Sequence, residues 1–343
     1  MFRQDRTNPS TAVSNWRGRH DAPKAWPSTA VSTWLNGGLF AAGATGDGYW
    51  GGGKGASNYY TINKMAFSDE AVTVLTPVLV SAGGSSPAAL ANSGTAGYWS
   101  GGGPFYYVLD GDIDKITFSN NSVATITPTL SLPSGGAWGG RACANSGTAG
   151  YWAIGGLSDQ IDKTDFSDDA TATITPTMSN SVDLGGSFAN SGTAAYWTGG
   201  ELNDTLNPTS VINKTAFSDD ATAAITPTLS SDRSSLTGAA NSGTAGYTAG
   251  GWTGSYVAVD VIDKTDFSDD ATAAITPTLS AARKYCSGLA LSGTAAYWGG
   301  GLEVSNVDTI DKTVFSNDAT AAISSVLSTD RRGCGGLANV GDL

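Results

Sequence analysis

The sequence predicts an all-β fold, a propeller of six blades with four antiparallel strands per blade and an extended N-terminal arm. Three observations predict it. A stretch that reads ANSGTAGYWAIGG at 144–156 returns six times, its tyrosine falling at Tyr49, Tyr98, Tyr151, Tyr196, Tyr247 and Tyr297, at spacings of 49, 53, 45, 51 and 50. A fixed period of this size marks a repeat array, not the two ordinary domains that 343 residues could hold. Each period divides into four short runs separated by Gly, Ser and Asp, which are hairpin signals. Finally, 46 glycines and only 14% charged residues suit tight turns and close-packed strands, not long helices.

Residues 1–36 stand outside the repeat. They hold their own doublet, PSTAVSNW at 9–16 and PSTAVSTW at 27–34, and a net charge of +3 against −15 for the remainder. Arg3, Arg6, Trp16, Arg17, Arg19, Trp26 and Trp34 lie here. Tryptophan and arginine together are the composition of a buried contact. The segment therefore reads as an attachment arm for a partner or a neighbouring subunit. An arm folded over its own domain is the alternative.

The array occupies 37–343. In the third copy the four runs are 140–145, 149–154, 160–166 and 170–175. The first run, small and uncharged, suits the crowded centre of a propeller. The second carries the Tyr-Trp pair, which predicts packing between blades. The third carries a lysine in every copy (Lys64, Lys115, Lys163, Lys214, Lys264, Lys312), expected to pair with a nearby acid. The fourth is rich in Thr and ends at Pro77, Pro128, Pro176, Pro227 and Pro277 in five copies, Ser325 replacing the proline in the sixth. Proline cannot donate to a ladder, so this run belongs at the outer edge. A seventh first run follows at 333–341, and LFAAG at 39–43 matches it. Either the C-terminal strand closes the ring or it is donated to a neighbour.

The constant turns, SGTA and SDDA, fall on one face of such a propeller. The loops 54–60, 104–112, 201–210, 252–260 and 302–308 fall on the other, and they vary. Function tends to sit on loops held by a rigid scaffold. Tyr59, Tyr60, Phe105, Tyr106, Tyr107, Glu201, Asp204, Trp252 and Tyr256 are the ligand-face candidates, since aromatic rings beside acids suit a saccharide or a protein patch.

The chemistry points away from catalysis. The only histidine is His20, in the arm, so neither a Ser-His-Asp arrangement nor a His-based metal site is expected in the propeller. Cys143, Cys286 and Cys334 form no disulfide or zinc pattern and read as small apolar fillers. The SDD turns are expected to be turn-forming, not calcium-binding. No catalytic residue, metal or cofactor is assigned. A net charge of −12 disfavours nucleic acid. No apolar run is long enough to span a membrane, and no secretory signal is visible.

The glycine doublet after an aromatic strand, the Asp-Lys-x-x-Phe third run and the period near 50 resemble kelch-like repeats. More closely, GYWGGG followed by IDKTDFSDDATA resembles the kelch-like arrays of tailed-phage virion proteins, notably those of marine phages, over about 37–340. The tryptophan that kelch repeats carry late in the blade is here Ile126, Ile174, Ile225, Ile275 and Ile323. The resemblance implies a virion structural protein, made in a host cytoplasm, such as a tail fibre, knob or capsid decoration module. It would bind other virion proteins through residues 1–36 and be oligomeric in the particle. A lectin-like propeller for host polysaccharide is the first alternative, and a polysaccharide hydrolase the second.

Overall fold

A computed structural model describes residues 46–102, 111–132, 139–153, 155–156 and 158–340. The arm with its Arg and Trp candidates, the LFAAG run, and Phe105, Tyr106 and Tyr107 lie outside the described residues.

The described chain forms six four-stranded antiparallel sheets. Blade 2 is Ala88–Asn92, Ala96–Ser100, Ile113–Thr117 and Ser122–Ile126. Blade 3 is Arg141–Asn145, Ala149–Ala153, Ile161–Asp165 and Thr171–Thr173. Blade 4 is Gly186–Asn190, Ala194–Thr198, Ile212–Ala216 and Thr222–Ala224. Blade 5 is Thr237–Asn241, Ala245–Ala249, Ile262–Asp266 and Thr272–Ala274, and blade 6 is Ser287–Leu291, Ala295–Gly299, Thr309–Val314 and Thr320–Val326. Blade 1 takes Asp47–Gly51, Thr61–Ala66 and Val72–Val78 from the start of the array and Gly335–Ala338 from its end. The C-terminal strand thus closes the ring, pairing Tyr49 with Leu337 and Trp50 with Gly336.

The first strand of each blade lies at the centre, where successive inner strands touch around the ring. Small residues are a steric demand there. A Cβ on Gly336 would collide with the Gly288 carbonyl, one on Gly288 with that of Gly238, and one on Gly238 with that of Ser187. The second strand is buried on both faces because a blade is sandwiched between two others. Strand side chains alternate, so tyrosine enters the core on one side and tryptophan the core on the other. Tyr98 packs with Trp152 of the next blade, Tyr151 with Trp197 and Tyr247 with Trp298.

Each tryptophan also places its indole N–H. In blades 3, 4 and 6 it donates to a threonine on the third strand, as Trp152 does to Thr164 at 2.9 Å. Blades 1 and 2 carry Met65 and Ile116 at that position. There Trp50 and Trp99 donate to the inner-strand carbonyls of Ser287 and Gly335 in the preceding blade.

The outer strands stop before their proline in blades 2 to 5. In blade 1 the strand runs through Pro77 to Val78. The pairing there jumps from Val74 to Val78, so Pro77 sits in a bulge that owes no ladder bond. Blade 6, with Ser325, has an outer strand of the same length, seven residues.

Candidate recognition face

The two faces of the ring are built differently. On one face the SGT turns join into a belt. Asn92 accepts from the Gly147 N–H at 3.0 Å, Asn145 from Gly192, Asn190 from Gly243 and Asn241 from Gly293. The glycines of these turns have φ between 74° and 79°, and Gly94, Gly147, Gly192 and Gly243 have nothing near a would-be Cβ, so there the left-handed backbone alone requires glycine. In blade 1 this turn is cut: Asn339 donates its N–H to the Asp47 carbonyl and accepts the Asp47 N–H on Oδ1. Residues 46 and 340 therefore both lie on this constant face.

The same face carries the clamps between blades. The second acid of each SDD turn has φ near 60° and receives two donors from the preceding blade. Lys163 Nζ and Tyr151 Oη meet Asp220, Lys214 and Tyr196 meet Asp270, Lys264 and Tyr247 meet Asp318, and Lys312 and Tyr297 meet Glu70. The first acid closes its own turn, as Asp168 does on the Ala170 N–H. A phenylalanine of the following blade stacks on each tyrosine, Phe217 on Tyr151 at 5.0 Å for example. Burial, then the bond to Asp220, push the Tyr151 phenol above its ordinary value.

A second set of ties lies deeper in the seams. Asp114, Asp162, Asp263 and Asp311, with Asn63 and Asn213, accept backbone N–H groups from the exit of the preceding blade. Arg233 and Arg283, fully buried, form ion pairs with Asp263 and Asp311. Blade 4 has the neutral Asn213, and here Arg141 reaches in from the inner strand of blade 3. Its Nη1 lies 3.4 Å from the Gly199 carbonyl, the counterpart of the Gly250 carbonyl that Arg233 contacts.

On the opposite face the variable loops fold as small ribbons that bridge back to the preceding blade. Lys54 pairs with Arg332, Glu201 with Asp183, Trp252 with Ser234 and Leu302 with Lys284. On this side the starts of the inner strands converge on a cavity of ≈ 100 Å³ at the mouth of the central channel, lined by Arg141, Tyr285 and Ser287 among others. The mouth is a ring of residues at one repeat position. Ser86, Leu184, Ser235 and Tyr285 adopt φ of 53–59°, with Gly139 and Gly333 completing the set at 55°. Ser235 donates its N–H to Leu184, Tyr285 to Ser235, Gly333 to Tyr285 and Ser86 to Gly333. The left-handed backbone turns each N–H toward the neighbouring blade.

Of the aromatic candidates, Trp252 differs from expectation. It is 4% exposed, its indole donates to Ser235 Oγ, and Tyr256 covers it in a stack with centroids 4.5 Å apart. Tyr256, 72% exposed, is the part of the pair that meets solvent. Tyr60 is 42% exposed and packs over Gly83. Tyr59 is half-buried, with the Arg331 guanidinium 4.9 Å from its ring. Asp204 is exposed and Glu201 half-buried.

Glu201 pairs in register with Asp183 in a two-residue ribbon, Val182–Asp183 against Glu201–Leu202. Asp183 accepts the Gly156 N–H. Burial, reinforced by Glu201, raises its pKa to about 7 despite that bond, Arg141 and Asn203. Burial also raises Glu201.

Across the mouth the charge reverses. The position just before the ring residue is Ser85, Asp183, Ser234, Lys284 and Arg332 in the described copies. Lys284 and Arg332 flank Tyr285, each 6.0 Å from its ring centroid, and Lys284 also lies 5.6 Å from the Trp252 ring. Desolvation, then Arg332, hold the Lys284 ammonium below its ordinary value. These residues were not among the sequence candidates. Their signal was a departure from the repeat at a position whose role only the folded ring reveals.

Among the described residues no three His, Cys, Asp or Glu side chains group as metal ligands, and no helix is long and apolar enough to cross a membrane. No protein-family profile matches the chain, and no curated protein matches it significantly. The fold and face geometry therefore define a class: a closed six-bladed β-propeller with one constant and one variable face.

Proposed function

We propose that this chain is a virion structural protein of a tailed phage, a tail-fibre, knob or capsid decoration module that works by adhesion or assembly, not turnover. One observation carries the reading. The described ring begins at residue 46 on the constant face, opposite the loops that vary. A ring with one constant and one variable face is what a bridging module needs, held by one side and recognising with the other. The kelch-like resemblance to phage arrays and the Trp/Arg composition of residues 1–36 add support. Deleting residues 1–36 tests it: the propeller should stay folded and soluble but no longer join particles. Unchanged incorporation overturns the anchoring role.

A lectin-like role for the variable face is the second reading. Exposed Tyr60 and Tyr256 favour it, because flat rings on a rigid scaffold suit the apolar face of a sugar. Glycan binding that falls on Tyr60→Ala or Tyr256→Ala supports it. Binding unaltered by either change counts against it.

A further inference from the structure

The seam that closes the ring, between blades 6 and 1, opens on the variable face as a groove of ≈ 540 Å³. That lies within the roughly 300–1,000 Å³ of small-molecule sites. Tyr59 of blade 1 lines it, with Asn306 and Asp308 from the loop of blade 6 and Ser328, Thr329 and Asp330 from the exit of that blade. The repeat departs from itself here. In the other described copies the position of Tyr59 holds Ser158, Thr209, Val259 and Val307, so this seam alone receives an aromatic ring there. The Ser-Thr-Asp run before Arg331 is Ser-Ala-Ala before Arg283.

The lining is fixed from behind. Arg331, fully buried, donates to the Ser328 and Thr329 hydroxyls at 3.3 and 2.9 Å, and its guanidinium lies 4.9 Å from the Tyr59 ring. The Asp308 carbonyl accepts the Leu327 N–H at 2.9 Å, and the Tyr59 N–H donates to the Gly53 carbonyl at 2.8 Å. Lining groups already held in place lower the ordering cost of binding.

The chemistry of the lining selects a ligand. The acids of the clamps and seams are all engaged, whereas among the described residues Asp308 and Asp330 have no side-chain hydrogen bond or ion pair. Ionised carboxylates only accept hydrogen bonds, so they suit hydroxyl donors and repel anions. Asn306 Oδ1 lies 3.4 Å from Arg332 Nη1, which leaves its amide NH₂ to donate. An aromatic wall beside carboxylates, hydroxyls and one amide matches a sugar ring with adjacent hydroxyls, not a uronate or a sulfated sugar.

We propose that the closing-seam groove bounded by Tyr59, Asp308 and Asp330 binds an uncharged, hydroxyl-rich sugar residue of a surface polysaccharide. This rests on the lectin-like reading of the variable face and adds where the sugar sits and of what class it is.

The test is binding of the full chain to immobilised dextran, mannan and galactan, all neutral, and to alginate, a polyanion, at physiological salt. The expected result is binding to at least one neutral polymer and not to alginate. Asp308→Asn with Asp330→Asn should weaken it about tenfold, in line with losing charge-assisted hydrogen bonds. Tyr59→Leu should weaken it as well, and Lys163→Gln, on the other face, should not alter it. Circular dichroism checks each fold, and Asp330→Asn alone, at an exposed position, serves if the double variant unfolds. Neutral-polymer binding that survives the Asn and Leu variants but falls on Tyr60→Ala or Tyr256→Ala overturns the groove and leaves the lectin-like reading standing. So does binding to alginate alone. Binding to none of the four polymers overturns both.

Discussion

Lys115 reaches across from blade 2 to Asp169 of blade 3 at 2.7 Å, and Tyr98 sets its hydroxyl 2.8 Å from the same carboxylate. The repeat places an acid at this turn position in every blade except blade 2, where Asn121 stands and Lys64 turns to Asp47 instead. These pairs are partly exposed, so each is worth about 1 kcal/mol or less. Asp169→Asn should lower the urea midpoint by that amount. Asn121→Asp should raise stability by roughly 0.5 kcal/mol, since it puts a charged acceptor where Tyr49 now donates to the neutral Asn121 Oδ1 and lets Lys64 pair across the seam. Unchanged midpoints in both would show that the clamps are ornamental to stability.

The buried pair Arg233–Asp263 should behave differently. Arg233→Met leaves a carboxylate sealed in the seam, a loss of about 3–5 kcal/mol by chemical denaturation. Adding Asp263→Asn should recover part of it, because blades 1 and 4 carry Asn63 and Asn213 at this position. A double variant no more stable than Arg233→Met would contradict the pairing.

Asp183 gives the fold a pH dependence. In an unfolded chain it ionises near 3.9; in the fold, near about 7. Between those values the native state holds a proton that the unfolded state has released. Its contribution to stability therefore falls as pH rises from about 4 to 7, and the loss is complete above 7. The stability of Asp183→Asn relative to wild type should rise between pH 5 and pH 8. An equal difference at both pH values would refute the shift.

Tyr256 shields Trp252. Tyr256→Ala should leave the fold intact while making one more tryptophan accessible to acrylamide quenching, with a red-shifted difference spectrum. Identical quenching in the two proteins would place the shield elsewhere.

Much of the scaffold is legible in the chain because the repeat carries it. The blade count, the strand runs, the inward Tyr-Trp pair and the two unlike faces all follow from what returns every 45 to 53 residues. The pairing of lysines with acids was also expected, though not that the acid lies in the next blade for every lysine but Lys64. That needs the ring, since Lys163 and Asp220 are 57 residues apart. The face was harder to read than the frame. Trp252 looked like a ligand-face residue because its loop is polar and variable, yet a neighbouring tyrosine covers it. Arg233, Arg283 and Arg331 sit in the exits between blades, and they are fully buried because each fills a gap between blades. Lys284 and Arg332 acquire meaning only when six separate exits converge on one mouth.

The most direct measurement is hydrogen exchange at Gly335–Ala338. A ring closed by this strand requires its amides to be protected like those of the inner strand Gly186–Asn190, exchanging only with the opening of the whole propeller. The expected result is matched, slow exchange in peptides covering the two segments. Exchange within seconds at 335–338, with 186–190 still protected, would contradict the closure on which the seams, the mouth and the two-faced reading all depend.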